Sequence, residues 1–227
     1  MLGNTNVHSV KYNFIMNTIL KMSSFIFPLI SFPYVSHVLG ADGNGKIAFA
    51  SSFVAYFSML SQLGIPTYGI RTCARHRGDK MRLSRTVHEL LIINSVMTIL
   101  SYVVMIVMIT MVPKLQQNIN ILLVSSVSIV LTTVGMEWLY QAIEQYGYIT
   151  YRNLSFKVLS VALMFLFVKQ KEDYIIYAGI NVVGTVGSNL MNLFRVQRYI
   201  YTRPFKKYNV RVHLRPILTF LYSRLQL

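Results

Sequence analysis

Four ionisable side chains lie inside long apolar stretches of this sequence: Lys21, Glu89, Glu137 and Lys157. A charged group at membrane depth costs at least ~2.5–3.5 kcal/mol on insertion scales, so it normally faces a protein interior or a water-filled cavity. There it acts as a fixed charge in surroundings of low dielectric constant, where its attraction for an opposite charge is strong. These four residues are therefore the first candidates for a transport path.

Their depth within the apolar stretches separates these candidates. Glu89, Glu137 and Lys157 each lie within a few residues of the predicted cytoplasmic boundary, so each has a simpler interpretation as an interfacial side chain. Lys21 lies about ten residues into its stretch, too deep for that explanation unless its long side chain extends back to a headgroup. The sequence favours a buried role most strongly for Lys21.

Other residue types give no pattern for catalysis or metal binding. The five histidines are scattered without ligand spacing, and Cys73 is the single cysteine, so no zinc site or internal disulfide is predicted. No serine stands in a nucleophile-elbow context. We therefore predict a protein that is not a soluble enzyme and needs no cofactor. A membrane-embedded transferase, which requires only a few polar residues, remains an alternative.

The elements that must position these residues are six apolar stretches. Most reach the ~20 residues that a helix needs to cross a ~30 Å hydrocarbon layer. With 54% hydrophobic and 13% charged residues, the sequence predicts an all-α, polytopic transmembrane helix bundle. The fifth stretch is the shortest and spans only if its flanking basic residues extend to the two interfaces. The stretches are Tyr12–Val38, Ile47–Pro66, His88–Val112, Ile121–Gln141, Leu154–Val168 and Tyr174–Phe194.

Basic residues alternate from gap to gap and predict the orientation. The N-terminus and the second, fourth and sixth gaps carry fifteen Lys and Arg, whereas the first, third and fifth carry four. Because basic residues accumulate on the cytoplasmic side, the N-terminus and the even gaps are predicted to be cytoplasmic. The net charge of +15 then follows from topology, and no nucleic-acid partner is expected. Contact of the cluster 71–85 with anionic lipid is a less economical alternative.

Prolines and glycines predict irregular backbone in and after the first stretch. Pro28 and Pro33 each remove an amide donor, so a kinked or broken helix lining a lumen is expected; alternatively, Pro33 marks the end of the span. The segment Leu39–Gly45 has three glycines, which is typical of a tight turn. A phosphate-binding loop fits it less well, because no strand precedes it and the lysine spacing is wrong.

The sixth stretch has the composition of a packing helix. Gly184 and Ser188 form a small-residue ridge that permits close helix approach, and Asn181 and Asn189 can donate hydrogen bonds across it. We interpret this ridge as packing and assign no ligand to it.

Motifs in two regions resemble a known family. The first region contains NFI at residues 13–15, FPLISFPYVS at 27–36 and QLGIPTYGIR at 62–71, and the second contains EWLYQAIE at 137–144. These motifs are similar to those of bacterial polysaccharide and O-antigen flippases of the multidrug/oligosaccharidyl-lipid/polysaccharide exporter superfamily. The resemblance extends from about residue 10 to residue 220.

The resemblance implies a substrate, a membrane and roles for residues. Such flippases move an undecaprenyl-diphosphate-linked oligosaccharide across the bacterial inner membrane, for surface polysaccharides such as lipopolysaccharide, through alternating access of two six-helix lobes. Cations facing the lumen would pair with the diphosphate. The residues implied for headgroup contact are Lys21, Arg71 and Lys157, and those implied for counter-charge or proton coupling are Glu89, Glu137 and Glu144.

Length is where the sequence departs from this family. We expect residues 1–215 to form the N-terminal six-helix lobe and residues 216–227 to begin a seventh helix that is cut short. A lone lobe would expose its polar lumen, so a second lobe or a second copy of the chain is the expected partner. Two other functions stay open: a cation-coupled small-molecule exporter of the same superfamily, which predicts a lumen rich in acids, and a membrane fragment or scaffold without transport.

Overall fold

The computed structural model describes residues 9–205 and 207–217. Within these residues the fold is entirely helical and contains no strand, which confirms the predicted all-α class. Three short 3₁₀ turns follow the seventh, eighth and ninth helices, and residues 211–217 are helical. The α-helices are α1 Val10–Gln62, α2 Ile65–Arg75, α3 Lys80–Met111, α4 Pro113–Gln116, α5 Ile119–Gly135, α6 Glu137–Ala142, α7 Tyr146–Phe167, α8 Tyr174–Val186 and α9 Leu190–Arg195.

Helix α1 is interrupted at Gly40 and at no other residue. Gly40 has φ 66° and ψ −170°, a conformation that glycine adopts without the steric cost of a Cβ atom. Helical geometry continues through Pro28 and Pro33, so the break predicted there is absent. The tight turn predicted over Leu39–Gly45 is reduced to this single residue, because the chain resumes helical geometry at once.

In the described part of the chain, four helical stretches are long and apolar enough to cross a membrane: Val10–Arg75, Lys80–Met111, Ile119–Ala142 and Tyr146–Phe167. The predicted count of six spans is not confirmed. The first stretch joins two predicted spans through Gly40, and the sixth predicted span is divided, with α8 only 13 residues long.

Side-chain hydrogen bonds fix how the helices run. The first half of α1 and helix α7 are joined by three bonds between residues that are all 134 apart in sequence, so the two segments run parallel. Helix α8 runs antiparallel to α7, because Ser160 packs at Gly184 while the earlier residue Asn153 bonds the later residue Ser188. The three bonds of the first pair join Thr150 to Met16, Lys157 to Ser23, and Tyr34 to Val168.

Small residues permit the close approach of α7 and α8. A Cβ atom at Gly184 would overlap the side chain of Ser160, so only glycine fits at this position. Asn189 donates from Nδ2 to the backbone oxygen of Leu131 on α5 at 3.2 Å. The structure therefore agrees with the packing role predicted for the small-residue ridge, with Asn189 bonding across helices as predicted.

Two apolar clusters lie at opposite ends of α3. One contains Leu83 and Leu90 near its start, with α2, α6 and residues 196–217; the other contains Met105 and Ile109 near its end, with α5, α7 and α8. Polar contacts separate the clusters, including a 2.8 Å hydrogen bond between Thr98 and Thr133. The ionisable candidates lie in or near the first cluster.

The start of α3 is set by Asp79. Its Oδ1 accepts hydrogen bonds from the backbone amides of Arg82 at 3.0 Å and Met81 at 2.9 Å, which satisfies two free donors of the first turn. The bond from Arg82, and then that from Met81, lower the pKa of the Asp79 carboxyl.

Candidate functional site

A cavity of about 710 Å³ opens between the first half of α1 and helices α5 to α8, with the start of α2 at its edge. Among the described residues its lining carries three charged side chains, Lys21, Glu137 and Lys157, together with amide and hydroxyl groups. The structure therefore brings together three of the six site residues predicted from the sequence. The amide-bearing residues of the lining are Asn17, Gln62, Gln141, Asn153, Asn181 and Asn189.

Lys157 is held at the wall by hydroxyl groups. Its Nζ donates to Ser23 Oγ at 2.9 Å and to Ser24 Oγ at 3.1 Å, and it lies 5.8 Å from the ring centroid of Phe27. Among the described residues, no carboxylate lies within 4 Å of this nitrogen. The lysine is thus positioned by neutral groups, and its charge remains available to an anion.

Lys21 lies on the same stretch of α1, one turn before Ser24, and its side chain is exposed at the cavity. It takes part in none of the ion pairs formed between described residues. Two lysines that lack an acidic partner therefore line one cavity.

Glu137 is the single acidic residue of the lining among the described residues, and it is already paired. Its Oε2 accepts a hydrogen bond from Arg152 Nη2 at 2.7 Å, and its Oε1 accepts one from Gln141 at 3.3 Å. Arg152 has only 1% of its side chain exposed, whereas Glu137 has 31%. The buried Arg152 guanidinium, which does not line the cavity, therefore neutralises the Glu137 carboxylate.

Sequence reasoning missed Arg152, which it treated only as an interfacial charge. A signal existed: the connection between α6 and α7 covers residues 143–145, and Glu137 and Arg152 lie almost equally far from it, by six and seven residues, on the two sides. Residues equidistant from the turn of an antiparallel hairpin lie at the same height. Opposite charges at such positions predict an ion pair.

The backbone break that positions Glu137 is stabilised by asparagines. Met136, with φ 43°, separates α5 from α6 and makes Glu137 the first residue of α6. Asn192 donates from Nδ2 to the backbone oxygen of Gly135, the last residue of α5, and Asn189 donates to Leu131 one turn earlier. The Asn192 amide thus satisfies a carbonyl that the interrupted helix leaves free, and the Asn189 amide gives the Leu131 carbonyl an additional donor.

Arg71 and Glu144 lie outside the cavity lining. Arg71 is exposed on α2, and Glu144, with φ 60°, lies in the connection before α7. Glu144 forms an ion pair with Arg77, and both side chains are about 40% exposed. This pair links the connection that follows α2 to the one that follows α6.

Glu89 also lies outside the lining and is part of a buried network. Its carboxylate accepts from His213 Nε2 at 2.8 Å, from the backbone amide of Asn209 at 2.7 Å and from Arg85 Nε at 3.1 Å. His213 Nδ1 in turn hydrogen-bonds the Tyr68 hydroxyl at 2.8 Å. Glu89 thus holds the chain that follows α9 against α3 and α2.

We call residues 198–217 the C-terminal segment. It contacts α3 at successive turns: Lys80 Nζ lies 4.8 Å from the ring centroid of Tyr201, Ser84 Oγ accepts from the Tyr201 amide at 2.8 Å, and His88 bonds the Tyr208 hydroxyl at 3.2 Å. The start of the predicted seventh helix, at residues 216–217, is helical, and residues 218–227 lie outside the described part.

Comparison with known families decides the classification. The sequence model of a family described as "Polysaccharide biosynthesis protein" matches residues 10–224. The chain belongs to this family.

Two curated relatives of this family member carry the name "Putative O-antigen transporter". The one from Escherichia coli (strain K12) is 22% identical over 170 residues, which cover 75% of this chain and 41% of the relative. The one from Shigella dysenteriae is 21% identical over 216 residues, covering 94% of this chain and 54% of the relative. The chain thus spans about half the length of the curated relatives it matches. No solved structure matches it.

Membership of the polysaccharide biosynthesis family agrees with the long apolar helices. Together they indicate a multi-pass membrane protein of the polysaccharide biosynthesis family. The polar cavity among those helices is the candidate functional site of this family member.

Proposed function

We propose that this chain forms one lobe of a flippase that moves undecaprenyl-diphosphate-linked oligosaccharide repeat units across the bacterial inner membrane. The observation that carries the proposal is the charge of the cavity: two lysines without acidic partners, and one glutamate that a buried arginine neutralises. A diphosphate is a dianion or trianion at neutral pH, and its pairing with lysine strengthens where water is scarce.

In this mechanism the headgroup enters through the open side of the cavity. Lys157, held by two serine hydroxyls, and Lys21, one turn before Ser24, contact the phosphoryl oxygens, and the amides of the lining contact sugar hydroxyls. Glu137 supplies counter-charge to the buried Arg152 and makes no contact with the headgroup. The chain acts as a transporter and forms or breaks no covalent bond.

The topology that we propose has six passes with the N-terminus in the cytoplasm. Gly40 is then the external end of the first two passes, and α8 with α9 makes the sixth. The parallel packing of α1 with α7, and the antiparallel packing of α7 with α8, support this alternation. The open side of the cavity faces a second lobe or a second copy of the chain.

A cation-coupled exporter is less well supported, because it predicts more acids than bases in the lumen. The lining has two lysines and one glutamate among the described residues. No feature of the cavity favours a cationic cargo.

Complementation tests the proposal. The chain is expressed in a strain that lacks its own flippase, alone and fused to the second half of a full-length relative, and surface polysaccharide is measured. We expect export from the fusion and its loss in Lys21→Ala and Lys157→Ala, with Lys171→Ala, an exposed lysine outside the cavity, as the control. Equal export by all the variants would refute headgroup binding by these lysines.

A further inference from the structure

We propose that Arg152 is a specificity-determining residue: by pairing with Glu137, it keeps that carboxylate from neutralising Lys157, and so keeps the cavity selective for anions. This inference rests on the proposed function and deepens it. It assigns a role to a buried charge that does not itself line the cavity.

The pairing of Arg152 is specific and single. In the described part of the chain, Glu137 is the one carboxylate within 4 Å of its guanidinium, with Nη2 2.7 Å from Oε2. Nε and Nη1 are buried without a hydrogen-bond partner in the structure. The other contacts of Arg152 in the described part of the chain are to neutral groups, Asn153 and the ring of Tyr148, whose centroid lies 5.6 Å from Cζ. The group that Arg152 serves is therefore Glu137.

The consequence for Lys157 follows from the shared cavity. Glu137 and Lys157 both line it without forming an ion pair, and among the described residues Lys157 donates hydrogen bonds only to two neutral hydroxyls and lies near the Phe27 ring. Without Arg152 the Glu137 carboxylate would lack a cationic partner in surroundings of low dielectric constant, and the cations available to it would be those of the lining. A Glu137–Lys157 pair would remove one of the two charges that hold a diphosphate.

Arg152 acts through Glu137 and not by touching the ligand. Only 1% of its side chain is exposed, and the cavity wall between it and a ligand is formed by Glu137 itself and by Asn153. Asn153 Oδ1 accepts from Arg152 Nη2 at 3.3 Å, which further fixes the guanidinium. Arg152 is thus a positioning residue whose effect depends on the presence of the Glu137 charge.

This dependence gives a sharp test. The purified chain in lipid nanodiscs is titrated with farnesyl diphosphate, a short polyprenyl diphosphate, and with farnesol as the uncharged probe. We expect Arg152→Gln to weaken farnesyl diphosphate binding about ten- to a hundredfold, the value of one charge-assisted hydrogen bond. We expect the double variant Arg152→Gln/Glu137→Gln to bind within about threefold of the wild type, since no free carboxylate remains to pair with Lys157.

Controls address folding and specificity. Arg152→Lys keeps a cation beside Glu137 and is expected to retain binding, whereas farnesol binding is expected to change in no variant. Arg82→Gln is the matched control, because Arg82 pairs with Asp79 at 3.2 Å but is exposed and far from the cavity. If Arg152→Gln does not give monodisperse protein, the double variant decides, because two neutral residues of similar size replace the buried pair.

Recovery of farnesyl diphosphate binding in the double variant supports the inference. Weak binding by a folded double variant overturns it, because Arg152 would then contact the ligand or support the fold directly; unchanged binding by Arg152→Gln also overturns it. A wild-type chain that does not prefer farnesyl diphosphate to farnesol refutes the proposed function and this inference together.

Discussion

Replacing Gly135 with alanine tests the contact between the two interrupted helices. A Cβ atom at this position would lie 2.5 Å from both Cβ and Cγ of Asn189, whereas ordinary contacts are 3.4–4 Å, so a neighbouring backbone must retreat by about 1 Å. Overpacking of this kind costs about 1–3 kcal/mol, and losing the 3.2 Å bond from Asn189 to Leu131 adds about 0.5–1.5 kcal/mol. We expect Gly135→Ala to lower the free energy of unfolding by about 2–4 kcal/mol.

Thermal unfolding of the purified protein in detergent measures this effect, and the apparent Tm should fall by about 5–15 °C. Gly45→Ala is the matched control: it lies in helical backbone with nothing within 4 Å of the added Cβ, so it should be neutral or slightly stabilising. Asn189→Gly removes the opposing Cβ and should recover at least about 1 kcal/mol of the loss in the double variant. Equal Tm shifts for Gly135→Ala and Gly45→Ala would refute the packing argument.

Three further predictions concern other contacts. Glu89→Ala removes three accepted hydrogen bonds and should speed tryptic cleavage within the C-terminal segment, whereas the exposed Glu172→Ala should leave the cleavage rate unchanged. Tyr34→Phe removes a 2.8 Å bond to the backbone oxygen of Val168 and should cost about 0.5–1.5 kcal/mol in detergent unfolding; no change in Tm would show that water replaces the bond. Because its pKa is lowered in the fold, Asp79 stabilises the folded state above the ordinary carboxyl pKa of 3.8 and loses that effect as pH falls through the folded value. Asp79→Ala should therefore be less stable than the wild type at neutral pH, and a stability difference that persists unchanged at pH 2 would contradict this reasoning.

Features that depend on short stretches of sequence could be predicted. An apolar run implies a membrane helix whatever surrounds it, and an ionisable residue within such a run implies a polar neighbour. For this reason the sequence predicted the helical class and singled out Lys21, Glu137 and Lys157, which the structure places around one cavity. The small-residue contact at Gly184 was predictable on the same grounds.

Features that depend on contacts between residues far apart in the sequence could not be predicted. Glu89 lies inside an apolar stretch like the other path candidates, but its partner His213 is 124 residues away, in a segment whose return onto α3 no local pattern indicates. Arg152 was missed because its burial depends on the hairpin between α6 and α7. In both cases the partner decides the role of the charge, and the partner is set by tertiary structure.

The position of the backbone break illustrates a competition between two local rules. Proline lacks an amide donor and disfavours helix, but in a membrane helix the cost of breaking further hydrogen bonds is higher, so α1 stays helical through Pro28 and Pro33. Glycine alone among the residues adopts positive φ without strain. The break therefore occurs at Gly40.

Gly40 is the whole connection between the two halves of α1, so no flexible segment separates them. Consecutive Cα atoms are about 3.8 Å apart, so neither half can slide along its axis without pulling the other by the same distance. Rotation about φ and ψ of this one residue changes only the angle between the halves. The first half of α1 consequently moves as a rigid helix that rotates about Gly40. A given change of angle moves its far end, near Lys11, more than it moves Lys21, and Lys21 more than Tyr34.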